Sequence, residues 1–401
     1  MTPPHQTQKA PLGQAEFIAL IAMLFATIAF SIDAMLPALP EIARELSPEA
    51  PNAAQLILTS FVFGMGVGTL FAGPLSDSYG RKTVIVAGAL LYCVGALLAF
   101  VAPSLETMLA ARVLQGLGAA GPRVVSLALV RDAHSGPQMA RIVSFAMMIF
   151  TLVPAVAPLL GQVIIAGFGW RSIFLAFLMF SAVSVLWLML RQPETLAPEA
   201  RRPFRAAPLW AALREVLALR SIRLSIIAQT LGFAALFGTL SSTQQLFDQT
   251  YGRADSFPYY FALIALIAGS SSLLNASLVM RLGMRRLVLV SFATQALVST
   301  GFMLAFWLNI WPQSLEFPAY LIWTIGVFFM IGMTIGNLNA LALEPVGHIA
   351  GMAASVVGAL STVFSVLLAA PVGLAFNGTP LPLMIGVAVF SGLAYLVSRR
   401  L

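Results

Sequence analysis

The chain carries 401 residues, 59% of them hydrophobic and 9% charged, where soluble globular domains carry about 25% charge. So few charges cannot cover a water-facing surface, which excludes a soluble enzyme. The net charge of +7 is dispersed in short runs between apolar stretches, which points to membrane orientation and excludes a nucleic-acid-binding protein.

A spanning helix needs about 20 predominantly apolar residues. Residues 1–14 form a polar tail, and the first span, 16–39, holds a single acid in its interior, Asp33. Runs free of Asp, Glu, Lys and Arg at 50–76 and 83–105 supply the second and third spans. The fourth, 105–130, contains Arg112 and Arg123, and the runs 142–170 and 172–190 are the fifth and sixth. An Arg-, Pro- and Ala-rich stretch, 192–220, follows, with a short surface helix predicted over 208–219. Spans seven to ten are the runs 224–247, 256–280, 287–315 and 317–343. The turn Asn377-Gly378-Thr379-Pro380 cuts the long run 345–398 into spans eleven and twelve. The first span has no cleavage-site pattern and exceeds a signal-peptide core, so it is expected to be retained. Cys93 is the one cysteine, and His5, His134 and His348 are scattered, so neither a disulfide framework nor a metal site is expected.

The reading is therefore an all-α integral membrane protein of twelve transmembrane helices. Two pseudo-symmetric six-helix halves, 15–191 and 221–397, are joined by the loop 192–220 and end in the short tail 398–401. Of the 22 Lys and Arg residues, 17 fall on the side of the N-terminus, Arg44, Arg171 and Arg253 on the other, and two within spans. The positive-inside rule then places both termini and the central loop in the cytoplasm. A faint repeat supports the two halves: Gly80-Arg81-Lys82 after the second span is echoed by Gly283-Met284-Arg285-Arg286 after the eighth. Paired halves with a site between them at the midplane are a transporter's layout.

The second span ends in Gly73-Pro74-Leu75-Ser76-Asp77-Ser78-Tyr79-Gly80-Arg81-Lys82. Gly80 permits a tight reversal, and Asp77 is expected to face the positive N-terminus of a neighbouring helix. Arg131 and Asp132, at the end of the fourth span, are placed to join Arg81 in one ionic latch. This stretch closely resembles the loop signature of the major facilitator superfamily. Arg112-Val113-Leu114-Gln115-Gly116-Leu117-Gly118-Ala119-Ala120 resembles the fourth-helix motif of that family's proton-coupled members. Pro154-Ala155-Val156-Ala157-Pro158-Leu159-Leu160-Gly161 looks like its drug-antiporter motif, with Ala157 and Gln162 standing where that motif has Gly. Three further stretches are similar to the bicyclomycin/chloramphenicol-type exporters: 31–40, Val130-Arg131-Asp132 and 169–174. The matches lie mostly in the N-terminal half. The resemblance implies the twelve-helix fold of that superfamily in a bacterial inner membrane. It also implies export of drug-like molecules by a monomer, with protons as the coupling ion and no other cofactor.

A charge inside hydrocarbon costs at least about 2.5 kcal/mol, so it faces a cavity or a partner. Asp33 and Arg112 lie about 9 and 10 Å below the same outer surface at 1.5 Å per residue, so their side chains can meet. A carboxyl that changes its access to a counter-charge takes up and releases a proton, making the two a candidate proton-coupling pair; the alternative is a static ion pair. Arg112, Gln115, Ala119 and Arg123 share one helical stripe. Arg123, about 10 Å from the inner end, snorkels, lines the inner vestibule or attracts an anionic group. Gln115, Arg123, Gln229, Gln244 and Asn337 are the candidate cavity residues. Asn339 shares a side with Gly332 and Gly336, a small-residue packing surface, which leaves Asn337, about 200° away, for the pocket.

These readings converge on a proton-coupled exporter of small, mostly apolar molecules. The nearest alternative is an importer, symporter or facilitator of a small metabolite on the same fold, and the proline-rich fifth span favours export. A membrane enzyme would need a nucleophile beside a base, or clustered acidic and histidine ligands, and the spans hold neither, so no catalytic residues are assigned.

Overall fold

The computed structural model describes residues 12–201, 203–204 and 206–401. His5, Lys9, Arg202 and Arg205, together with most of the N-terminal tail, lie outside the described residues. The N-terminal half contains α1 (Gln14–Asp33), α2 (Leu39–Leu46), α3 (Leu56–Tyr79), α4 (Arg81–Phe100), α5 (Leu105–Ala133), α6 (Gly136–Phe168) and α7 (Ser172–Arg191). A short surface helix, α8 (Ala206–Ala218), lies in the central loop, close to its expected place. The C-terminal half contains α9 (Arg220–Gln245), α10 (Phe257–Leu282), α11 (Met284–Trp307), α12 (Gln313–Leu343), α13 (Ala350–Leu374) and α14 (Leu381–Ser398).

By length and hydropathy these residues make 11 membrane-crossing segments, one of which, Gln313–Leu374, is 62 residues long. That segment folds back on itself at the turn Glu344–Ile349, where Val346 leaves helical geometry (φ −125°, ψ 35°). It therefore crosses twice, as α12 and α13, and the expected twelve spans are present. The first crossing segment, Gln14–Leu46, contains the expected span 16–39, but its helix is broken. α1 stops at Asp33, and the chain continues through the 3-10 turn Leu36–Ala38 into α2. Pro37 has no N–H for the Asp33 carbonyl and Pro40 has none for that of Leu36, so the helical ladder cannot run on.

The halves meet along two seams related by exchange. α3, the second spanning helix of its half, packs on α13, the fifth of the other, and α6, the fifth, packs on α10, the second. The faint repeat is structural. Gly80 (φ 99°, ψ 151°) and Gly283 (φ 78°, ψ 153°) hold the same backbone conformation between the second and third spanning helices of each half. L-residues seldom adopt it, which accounts for glycine at both places. Two residues further on, Lys82 Nζ donates to the carbonyls of Met189 and Gln192 at the end of α7, at 2.8 and 2.9 Å. Arg285 Nη2 does the same to Arg399 O at the end of α14, at 2.9 Å. In each half a cation on the third spanning helix caps the sixth, where the helix dipole is negative.

We call the face bearing these hinges, α8 and the C-terminus the basic face. Hydrogen bonds joining the halves gather at the opposite face. Asn52 Nδ2 donates to Leu374 O and Phe376 O (3.1 and 2.8 Å), and Gln55 Nε2 donates to Gln245 Oε1 (2.5 Å). Gln245 Nε2 returns a bond to Asn52 Oδ1 (2.7 Å), Ser242 Oγ donates to Gln55 Oε1 (3.0 Å), and Gln162 Nε2 reaches Asp255 O (3.3 Å).

Candidate functional site

α5 begins at a capping box, in which Ser104 accepts from the Thr107 main chain and Thr107 Oγ1 accepts from that of Ser104. Two turns further in, this start delivers Arg112 to the core, where it is fully buried. Its guanidinium donates to Ser31 O of α1 (3.1 Å), to Ile57 O of α3 (3.3 Å) and to Gln115 Oε1 (2.6 Å). Its carbon lies 4.4 Å from the centre of the Phe61 ring and 6.0 Å from that of Phe174, so aromatic faces cover the charge. Ser31 stands in the last turn of α1, where main-chain carbonyls lack helical donors, and the arginine supplies one. Ser31 Oγ also meets the Tyr92 hydroxyl of α4 at 2.5 Å. The cluster of Ser31, Tyr92, Arg112 and Gln115 thus ties α1, α4 and α5 together deep in the half.

Asp33, the last residue of α1, is 5% exposed. Its expected depth relative to Arg112 holds, because Arg112 bonds the carbonyl two residues before it. No ion pair between the two forms among the described residues; the guanidinium is committed to neutral acceptors. The antiporter-like segment is pressed on the same spot. A Cβ on Gly161 of α6 would collide with the Ala34 carbonyl, directly after Asp33. Glycine allows α6 to lie backbone-to-backbone against the broken end of α1. Pro154 and Pro158 lie within α6, which stays one helix from Gly136 to Phe168.

The other predicted cavity residues are dispersed. Gln115 belongs to the arginine cluster. Gln229 and Gln244, both on α9, are buried (1% and 3% exposed), and Gln229 Nε2 and Gln244 Oε1 have no hydrogen-bond partner among the described residues. Asn337 does not line an open pocket. The residue is 4% exposed and its carboxamide donates to Asn275 Oδ1 of α10 at 2.7 Å, which makes it part of a helix–helix seam. Asn339, expected to pack, is exposed, although Gly332 does press on Ser271 of α10. Arg123 is exposed and touches Met65 Sδ at 3.6 Å.

At the basic face, Arg81 pairs with Asp77 (2.5 Å) and Asp132 (2.9 Å), so Arg81 and Asp132 of the expected latch assemble, with Asp77 as a third member. Arg131 is exposed and enters no ion pair among the described residues. At the N-terminus of α4 the capping acid is Glu194, a residue that the sequence reading did not single out. Its carboxylate accepts from the main-chain N–H groups of Arg81 and Lys82, at 2.9 and 3.1 Å, and so caps the positive end of α4. Gly73 is the motif residue at the seam of the halves, with a Cβ position 3.2 Å from Ser355 Oγ of α13.

Two six-helix halves that exchange their second and fifth spanning helices around a charged, polar interior form a membrane transporter. The chain belongs to the major facilitator superfamily, whose family model matches residues 19–371. It is 30% identical to a bicyclomycin resistance protein homolog of Haemophilus influenzae over 396 residues, covering 96% of this chain and 97% of that protein. It is 29% identical to the multidrug resistance protein MdtL of Salmonella typhi, covering 90% and 89% of the two chains. The crystal structure of a D-xylose-proton symporter shares the fold, with a TM-score of 0.76 and 14% identity over 95% of this chain and 97% of that one.

Proposed function

We propose that this protein exports small, mostly apolar drug-like molecules in exchange for protons, by alternating access between its halves. The basic face is read as cytoplasmic, in a bacterial inner membrane. The relatives support drug export, since full-length likeness extends to proteins named for bicyclomycin and multidrug resistance. One observation carries the coupling. Asp33, buried within the first membrane-crossing segment (Gln14–Leu46), lies at the broken end of α1, between the arginine cluster and the antiporter-like α6, and its carboxylate is uncommitted among the described residues. Exchange requires that proton and substrate favour different states or exclude each other, and a carboxyl at a helix break beside the packed α6 is suited to change its surroundings as the halves move.

Uptake of labelled bicyclomycin into everted membrane vesicles tests the reading. Accumulation should require an imposed proton gradient and collapse with a protonophore. Equilibration that ignores the gradient would instead favour a facilitator.

A further inference from the structure

Arg123 has no part in the coupling cluster. It lies ten residues before the end of α5, about 15 Å inside the bundle from the basic face at 1.5 Å per residue. α5 is clamped on two sides: Val113, Gly116 and Leu117 meet α3, and Gln115, Gly118 and Pro122 meet α4. At about 100° per residue, the sector on the α1 side of these contacts holds Arg112, Ala119 and Arg123. Met65, which the guanidinium touches, is 4% exposed, and its neighbour Gly66 packs on Thr362 and Val363 of α13. Arg123 therefore stands beside the seam between the halves, away from lipid. It is exposed all the same, while Arg112 on the same stripe is fully buried. The arginine faces open space inside the protein.

No carboxylate answers it: among the described residues the ion pairs all lie elsewhere. An arginine stays protonated, and an interior cation without a counter-charge is costly until an anion completes it. Its planar fork matches an oxyanion through two parallel N–H···O bonds. At a similar level on α9, Gln229 Nε2 is a buried N–H donor without a partner among the described residues. Its level follows from Ser361 of α13, which bonds Ile226 O one turn below.

We infer that Arg123 receives the oxyanion of amphipathic substrates, so that apolar molecules bearing one carboxylate or sulfonate are a preferred class. This deepens the exporter reading and depends on it for the direction of transport, but binding can be tested without transport. The full chain in nanodiscs of zwitterionic lipid is titrated with 8-anilino-1-naphthalenesulfonate and with N-phenyl-1-naphthylamine, which has the same skeleton without the sulfonate. Empty nanodiscs supply the background. The wild type should bind the sulfonate more tightly, and sodium sulfate should weaken that probe alone. Arg123→Gln should weaken the sulfonate about tenfold, equivalent to about 1.4 kcal/mol, and leave the amine within about twofold; Arg123→Lys should fall between. Equal affinity of the wild type for both probes, or an Arg123→Gln effect equal on both, overturns the inference. Should Arg123→Gln fail to fold, the sulfate series on the wild type decides, and an equal response of the two probes overturns it. A wild type that binds the sulfonate through Arg123 without moving it against a gradient keeps this inference and removes the exporter reading.

Discussion

Arg112 Nη2 lies 3.1 Å from the carbonyl oxygen of Ser31, two residues before Asp33. The cation closes the end of α1 where the helix dipole is negative, and α5 is thereby tied to the break that Pro37 imposes. On this account the two charges have separate tasks. The arginine holds the helix end, and the acid beside it stays free to exchange its proton.

Three acceptors converge on the Arg112 guanidinium, a geometry that a lysine ammonium cannot reproduce. Arg112→Lys should destabilise the purified protein by about 1–3 kcal/mol, and Arg112→Ala by more, since buried acceptors are left unpaired. Thermal unfolding in detergent measures both. Unchanged melting in the two variants would show that the cluster does not hold α1.

Gly161 faces the Ala34 carbonyl so closely that one methyl group forces the backbones apart. Gly161→Ala should cost about 1–3 kcal/mol of packing and reduce export at equal expression. Gly167→Ala, with open space around its Cβ position on the same helix, is the control and should export normally. Equal export by the two variants would separate α6 packing from transport.

The bonds among Asn52, Gln55, Ser242 and Gln245 join the halves at the face opposite the basic one. Each is worth about 1 kcal/mol net, so Gln55→Leu with Gln245→Leu should shift the populations about tenfold or more toward a state open at that face. A cysteine placed at Ala54, which is 2% exposed here, should then react faster with an impermeant maleimide in a Cys93→Ser background. An unchanged rate would mean that these bonds do not govern opening.

Hydropathy sufficed for the twelve spans, because lipid imposes one length and one polarity on all of them. The depth of Asp33 against Arg112 was equally legible, since rise per residue is a property of any helix. Rotation about the helix axis was not. The angle between Asn337 and Asn339 follows from their spacing, but which of them meets α10 is decided by packing. Tyr92 and Gln55 carry no signal in the sequence, because neutral polar residues in spans acquire meaning only from partners, here 61 and 187–190 residues away in sequence. Glu194 sits in a loop that gives no sign of the helix end it caps.

Substrate-induced proton release from the purified protein, in wild type and Asp33→Asn, tests coupling most directly. Asparagine keeps the shape and hydrogen-bonding capacity of the carboxyl but cannot ionise. The wild type should release protons when a neutral substrate binds, and Asp33→Asn should bind that substrate with little or no release and lose proton-driven export. Undiminished release from Asp33→Asn on substrate binding would place the coupling site elsewhere and contradict the account.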